Sequence, residues 1–198
     1  MSEITISLPD GSSRSLPIGA TGADLATDIG PSLAKAALIV TVDGVGQDLS
    51  RPLHDGDSVK VVTADFEEGL HTLRHSTAHV LAQAVLDLWP GATHAIGPPI
   101  EHGFYYDFEL PDNRSFTDED LEAIEARMRE IIVADQDFER CEAGSAEALD
   151  LFAEHRYKRE IIEKVTSGEA DKELSGEAAS DGVVTYYRNG DGFVDLCT

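Results

Sequence analysis

Cysteine is scarce in this chain: Cys141 and Cys197 are the only two among 198 residues, too few for the disulfide framework that holds small secreted domains together. Long apolar runs are missing too, and the polar opening MSEITISLPDG lacks the charged-then-apolar order of a signal peptide. No membrane partner is therefore expected, and a cytoplasmic location is. Basic residues are few, 15 Lys and Arg against 38 Asp and Glu, for a formal net charge of −23. Residues 1–64 hold eight acids and four bases, whereas residues 65–198 hold thirty and eleven. So acidic a surface is not a general nucleic-acid platform, because phosphate neutralisation needs clustered Lys and Arg. Any nucleic acid has to be held locally or by another part of a larger protein. There is no glycine-rich phosphate loop of the P-loop or dinucleotide type and no internal repeat, so a nucleotide enzyme is not written here.

What is present is enough apolar material for ordinary cores, 41% of residues, arranged in two patterns. The first sixty-odd residues alternate. Ile4, Ile6 and Leu8 lead to a turn at Asp10-Gly11 and a second strand, a hairpin signature. Thr21 caps a short helix, GADLATDIG, that stops at Gly30-Pro31. The apolar strand AALIVTVDG turns at Asp43-Gly44, and DGDSVKVVTA closes the unit. This order predicts a β-grasp over residues 1–64. No cluster of His, Cys or carboxylates marks it for chemistry, so an adaptor role is favoured.

The second pattern begins after DFEEG, residues 65–69, whose acids suit a helix N-terminus. From His71 to Trp89, the residues Leu70, Leu73, Thr77, Leu81, Ala84, Val85 and Leu88 recur at helical steps and predict a long helix with an apolar stripe. His75 and His79 stand one turn apart on it, with His71 one turn earlier, so two imidazoles can share a metal, a water or a substrate group. Such a pair is weak evidence alone, since helix histidines are commonly surface or boundary residues. Its company lies at the far end, where FVDLCT puts Asp195 and Cys197 on one face of a strand.

Between these ends, ATHAIGPPIEHGFYYDFEL reads as a strand, a corner at Gly97-Pro98-Pro99 and an aromatic strand. There Tyr105 and Tyr106 face opposite ways, so one of them can line a pocket. Thr117, with Asp120 three residues on, caps a helix buried through Leu121, Ile124, Met128 and Ile131. DFERCEA is a short strand in which Cys141 is structural or incidental. Ser145 caps SAEALDLFAEH, and YKREIIEKV adds a helical turn or two carrying Lys158, by default a solvated cation. Residues 166–182 read as an acidic loop, followed by a hairpin that delivers FVDLCT. Residues 65–198 are thus predicted to be an α+β domain with a long histidine-bearing helix against a sheet.

The motifs RHSTAHVLAQAV, WPGATHAIGPPIEHGFYYDFE, YKREII and FVDLC, in that order and spacing, resemble the N-terminal region of bacterial threonyl-tRNA synthetases. The first 64 residues resemble the TGS domain of that family, and the likeness covers the whole chain. It implies that residues 65–198 form a domain that hydrolyses serine wrongly attached to the threonine tRNA, within an enzyme whose main reaction is ATP-dependent charging of that tRNA. A missing methyl supports only about 1–3 kcal/mol of discrimination in a pocket, so a second sieve is needed.

By position, the resemblance implies that His75 and His79 handle the attacking water. It implies that Gly97 and Tyr106 line the seryl pocket, that Lys158 stabilises charge on the ester carbonyl, and that Asp195 contacts the polar end of the substrate. Cys197 matches the cysteine of a C-x-x-x-H pattern whose histidine lies four positions beyond it, while this chain stops at Thr198. The domain is therefore expected to be C-terminally incomplete. The adenylation and anticodon-binding domains are expected elsewhere, with ATP, magnesium and a catalytic zinc. His75, His79 and Cys197 are candidate ligands for a zinc at the editing site. The implied partners are the acceptor end of tRNA(Thr), a serine or threonine moiety and, for the full enzyme, a second copy of itself. A non-catalytic TGS-containing binding module and a freestanding zinc-dependent hydrolase are the competing readings.

Overall fold

Apolar residues alternate with polar ones in β1 (Glu3–Ser7), and its antiparallel partner is β2 (Ser13–Pro17). The turn between them is closed by the Asp10 carboxylate, which accepts from the Ser12 backbone at 2.9 Å and its hydroxyl at 2.6 Å. A computed structural model of the chain describes residues 3–167, 179–180, 182–190 and 192–196. By their contacts the residues divide into two units, 1–74 and 75–198.

In the first unit, α1 (Gly22–Ile29) starts at Thr21, whose hydroxyl accepts from Asp24 N while the Asp24 carboxylate accepts from Thr21 N, a reciprocal cap. Gly30-Pro31 ends it as read from sequence. Pro31 then opens a second short helix, α2 (Pro31–Ala36), that the sequence reading did not include. Proline lacks only a donor that the first helical turn leaves unused. β3 (Ala37–Val42) and β4 (Val45–Asp48) are joined by Asp43 and Gly44, both at positive φ, 51° and 85°. This two-residue loop twists with its strands.

β5 (Val59–Thr63) pairs the other edge of β3, and a parallel bridge from Ser7 to Ser58 sets β1 beside β5. The resulting order, β2-β1-β5-β3-β4, is that of a β-grasp. Its core is Ile4, Ile6, Leu16, Leu25, Val40, Leu53 and Val59.

α3 (Glu67–Leu88) is the predicted long helix, 22 residues. Its burial differs from the expected stripe. Leu73 is 45% exposed, and the buried residues are concentrated at Ala78–Val80 and Ala82–Val85. Burial of consecutive residues means that the second half of α3 is covered on more than one side, which its three buried alanines permit by letting neighbours approach.

In the second unit the chain after α3 makes two short ladders. β6 (Thr93–His94) pairs with β9 (Phe108–Glu109), and β7 (Pro99–Ile100) with β8 (Gly103–Phe104). A 3-10 turn, Pro111–Asn113, leads to α4 (Asp118–Val133), which has the expected capping box at Thr117 and Asp120. Ile124 and Ile131 are buried and Met128 is partly so, but Leu121 is 55% exposed, a correction to the predicted stripe. It lies in the first turn, before the helix meets its neighbours.

β10 (Phe138–Gly144) runs into α5 (Ser145–Leu151). Ser145 is not the cap: Gly144 holds that position without a side-chain bond, and the Ser145 hydroxyl donates to Gly182 O at 3.0 Å. α6 (Arg156–Ser167) is longer than the turn or two expected, at 12 residues. The loop read over 166–182 lies largely outside the described residues, although Ala179–Ser180 forms β11.

β12 (Val183–Asn189) is central. β10 lies along one edge, and β11 and β13 (Phe193–Leu196) share the other. Its register places Tyr186 opposite Leu196 and Tyr187 opposite Asp195. Tyr186, Leu196 and Val184 cluster with Phe152, Ile161 and Ile162 of the α5–α6 segment. The alternate positions carry Asp195, Tyr187 and Asn189 to the opposite face, where Asn189 Nδ2 donates to Gln83 of α3 at 2.6 Å. Pleat alternation therefore brings the end of the chain against the histidine helix.

Candidate active site

Asp195 is wholly buried, and each of its carboxylate oxygens meets two donors. Oδ1 pairs with Lys158 Nζ at 2.5 Å and His94 Nε2 at 3.2 Å; Oδ2 accepts from His79 Nδ1 at 2.8 Å and from the Tyr106 hydroxyl at 2.5 Å. These donors come from α6, β6, α3 and the segment after β8, so four separate pieces of chain converge on one side chain. Burial, the largest single influence, pushes the Asp195 carboxyl upward. The Lys158 ammonium and the hydrogen bonds from His79 and His94 outweigh it and hold the group well below the usual carboxylate range,. A carboxylate can only accept, so His79 carries its proton on Nδ1 and His94 on Nε2.

That assignment decides what His79 offers. In the neutral ring Nε2 is a bare lone pair, and it is buried without a hydrogen-bond partner. His79 also borders a small cleft walled by His75, Gly97, Tyr106 and Lys158 with Leu196 among its lining. The His75 ring stacks on His79, with centroids 4.7 Å apart and planes 27° apart. Lys158, only 1% exposed, donates to the Tyr106 hydroxyl at 3.1 Å as well as pairing with Asp195. An ammonium has three donors, and Lys158 also borders the cleft. Gly97 packs flat against the Tyr106 ring, and a Cβ there would collide with it.

Of the residues singled out from sequence, His75, His79, Gly97, Tyr106 and Lys158 thus border one cleft. Asp195 lies behind its wall with both oxygens engaged and is not among the lining residues. Lys158 is far from the solvated default for a helical lysine, because it has a buried counter-ion. Cys197 lies outside the described residues. His71 is exposed. His94, which sequence reasoning passed over, is 1% exposed and belongs to the network. A lone ionisable residue in the segment ATHAIG was the available signal. Tyr105 is 48% exposed and faces away, as the alternation required.

The described residues do not fit a zinc ion. Among them no group of three or more His, Cys, Asp or Glu is placed to hold a metal. The two histidine rings stack rather than converge on a point, Nδ1 of His79 is committed to Asp195, and the Lys158 cation borders the same cleft. The zinc expected on His75, His79 and Cys197 thus finds no support from the two histidines. No helix is long and apolar enough to cross a membrane among the described residues.

Comparison with known proteins agrees with the layout. Residues 4–63 match the TGS domain family. The chain is 50% identical over 196 residues to the threonine–tRNA ligase of Maricaulis maris, covering 98% of this chain and 28% of the relative. It is 48% identical over 199 residues to that of Citrifermentans bemidjiense and 49% identical over 199 residues to that of a Geobacter species, covering all of this chain and 29% of each relative. The chain is a homologue of the N-terminal part of these ligases and spans little more than a quarter of their length.

Proposed function

Taking that homology as the premise, we propose that residues 65–198 form a proofreading site that hydrolyses serine from mis-charged tRNA(Thr), and that residues 1–64 form a TGS domain ahead of it. The observation that carries this reading is the His79 imidazole, held through Nδ1 by the Asp195 carboxylate, bordering a cleft that a cation also borders.

In this reading a water in the cleft gives its proton to His79 Nε2 as its oxygen attacks the aminoacyl ester. The Asp195 carboxylate fixes the tautomer and stabilises the imidazolium that forms. Lys158 directs its remaining donor at the ester carbonyl, where negative charge grows in the transition state. His75 stacks against His79 and orients it. The proton returns from His79 to the departing ribose oxygen. Gly97 and the Tyr106 ring form the wall that admits a seryl group and crowds the additional methyl of threonine. Asp195 acts from behind the wall rather than by touching substrate. None of these steps draws on a metal.

The whole protein is read as an ATP-dependent threonine–tRNA ligase. Its partners are the acceptor end of tRNA(Thr) and the seryl or threonyl group, its location is cytoplasmic, and it acts as a homodimer. The test is hydrolysis of Ser-tRNA(Thr) and Thr-tRNA(Thr) by the full-length protein and its His79→Ala variant. Selective loss of the seryl activity is expected. Undiminished seryl hydrolysis by a folded His79→Ala protein would refute the assignment.

A further inference from the structure

We infer that His94 is a positioning residue that locks the plane of the Asp195 carboxylate, and through it the tautomer and orientation of His79. The inference deepens the proofreading reading and rests on it for its kinetic arm alone.

His94 is the fourth donor to Asp195, and it differs in kind from Lys158, with which it shares Oδ1. An ammonium on a four-carbon stem is a point charge that follows its counter-ion wherever it turns. A ring N–H is directional, and this ring is fixed from several sides. It lies 5.7 Å from the Tyr106 ring, 5.6 Å from the edge-on ring of His155 and 6.4 Å from Phe193, which stacks on it. With His94 on Oδ1, the other oxygen is aimed at His79 Nδ1 and the Tyr106 hydroxyl. Without it, Oδ1 keeps only the flexible lysine, the carboxylate plane is held by directional donors on Oδ2 alone, and the bond to His79 loses alignment.

The surroundings of His94 argue against a packing role. Its Nδ1 is buried without a hydrogen-bond partner, and so is the hydroxyl of the adjacent Thr93. An apolar side chain of similar volume would fill the space without stranding a lone pair. The imidazole's one described polar contact is the one to Asp195. An unsatisfied buried atom accepted together with one directional bond is what a positioning role looks like.

The test compares His94→Leu with His94→Gln in the full-length protein, since the glutamine amide N–H reaches about as far as the histidine Nε2–H. In the unaltered protein, long-range proton–nitrogen NMR of the imidazoles is expected to show His94 as the Nε2–H tautomer and His79 as Nδ1–H, both protected from exchange. His94→Leu is expected to lower kcat for Ser-tRNA(Thr) by about 10- to 100-fold with KM changed by less than about twofold, and to expose the His79 ring proton to exchange. His94→Gln is expected to restore both.

A His94 found as Nδ1–H overturns the inference, whether or not the leucine variant folds. So does a folded His94→Leu protein with unchanged kcat and unchanged His79 ring proton, or a His94→Gln protein no better than leucine. If neither the unaltered protein nor His79→Ala hydrolyses Ser-tRNA(Thr) while the ring-proton pattern responds as stated, the proofreading reading falls and the positioning role stands.

Discussion

The two units of this chain bury different things. Every fully buried polar or charged residue among the described ones, His79, Gln83, His94, Lys158, Thr185, Asn189 and Asp195, lies in the second unit. The first buries aliphatic side chains, and its side-chain polar bonds lie at exposed or partly buried positions. Burying an ion costs several kcal/mol unless it is paired and hydrogen-bonded. A small β-grasp core has nothing to gain from that cost, whereas a site that must hold a base, a cation and a carboxylate in one geometry requires it. The contrast separates a scaffold from a chemical site more sharply than fold class does.

The contrast is most severely tested at Lys158. Lys158→Met leaves Asp195 as an uncompensated buried charge, and loss of one partner from such a pair costs about 3–5 kcal/mol. Chemical denaturation is expected to show this loss in the second unit while hydrogen exchange in the first stays unchanged. Ser-tRNA(Thr) hydrolysis is expected to be abolished. Acid probes the same network. Because the folded carboxyl of Asp195 sits below its unfolded value of about 3.8, its contribution is present above that pH and is lost as pH falls through the lower folded value,. Asp195→Asn should remove that segment of the stability profile, and a profile identical to that of the unaltered protein would count against the ionised assignment.

The reciprocal experiment is Leu25→Ala in the first unit. Leu25 is wholly buried, so about 2–5 kcal/mol of the stability of the β-grasp is expected to go, with the ring-proton spectrum of His79 unaltered. A change in that spectrum would join what the contact pattern divides. Gly97→Ala is gentler. The new methyl must displace the Tyr106 ring, at a cost of about 1–3 kcal/mol for overpacking, and seryl hydrolysis should fall more than stability does. The smallest effect belongs to Thr21→Ala, which removes a helix cap and should cost about 1 kcal/mol in thermal melting of the first unit, with no effect on hydrolysis.

Much of this was legible along the chain, and unevenly so. Thr21, and Thr117 with Asp120, announced their helices, and Asp43-Gly44 announced its turn, because such signals act within a few residues. The stripe on α3 was misjudged at Leu73, since a helical period says which residues share a face but not whether a neighbour covers that face. Lys158 stands among other charges in YKREIIEKV, and nothing local distinguishes it. Only the family likeness marked it as functional. His94 carried neither periodicity nor company in the sequence and came to light only when its ring was seen against Asp195.

Sequence alone determined the caps at Thr21 and Thr117, the turns, the alternating strands, the long helix and the spacing of its two histidines, because each depends on side chains within one or two turns of each other. Tertiary structure decided which lysine is buried, which oxygen of Asp195 each donor takes, and that His94 joins them. Those outcomes depend on residues far apart along the chain, up to 116 positions for His79 and Asp195, being packed into a volume from which water is excluded, and that long-range packing is set by no local pattern.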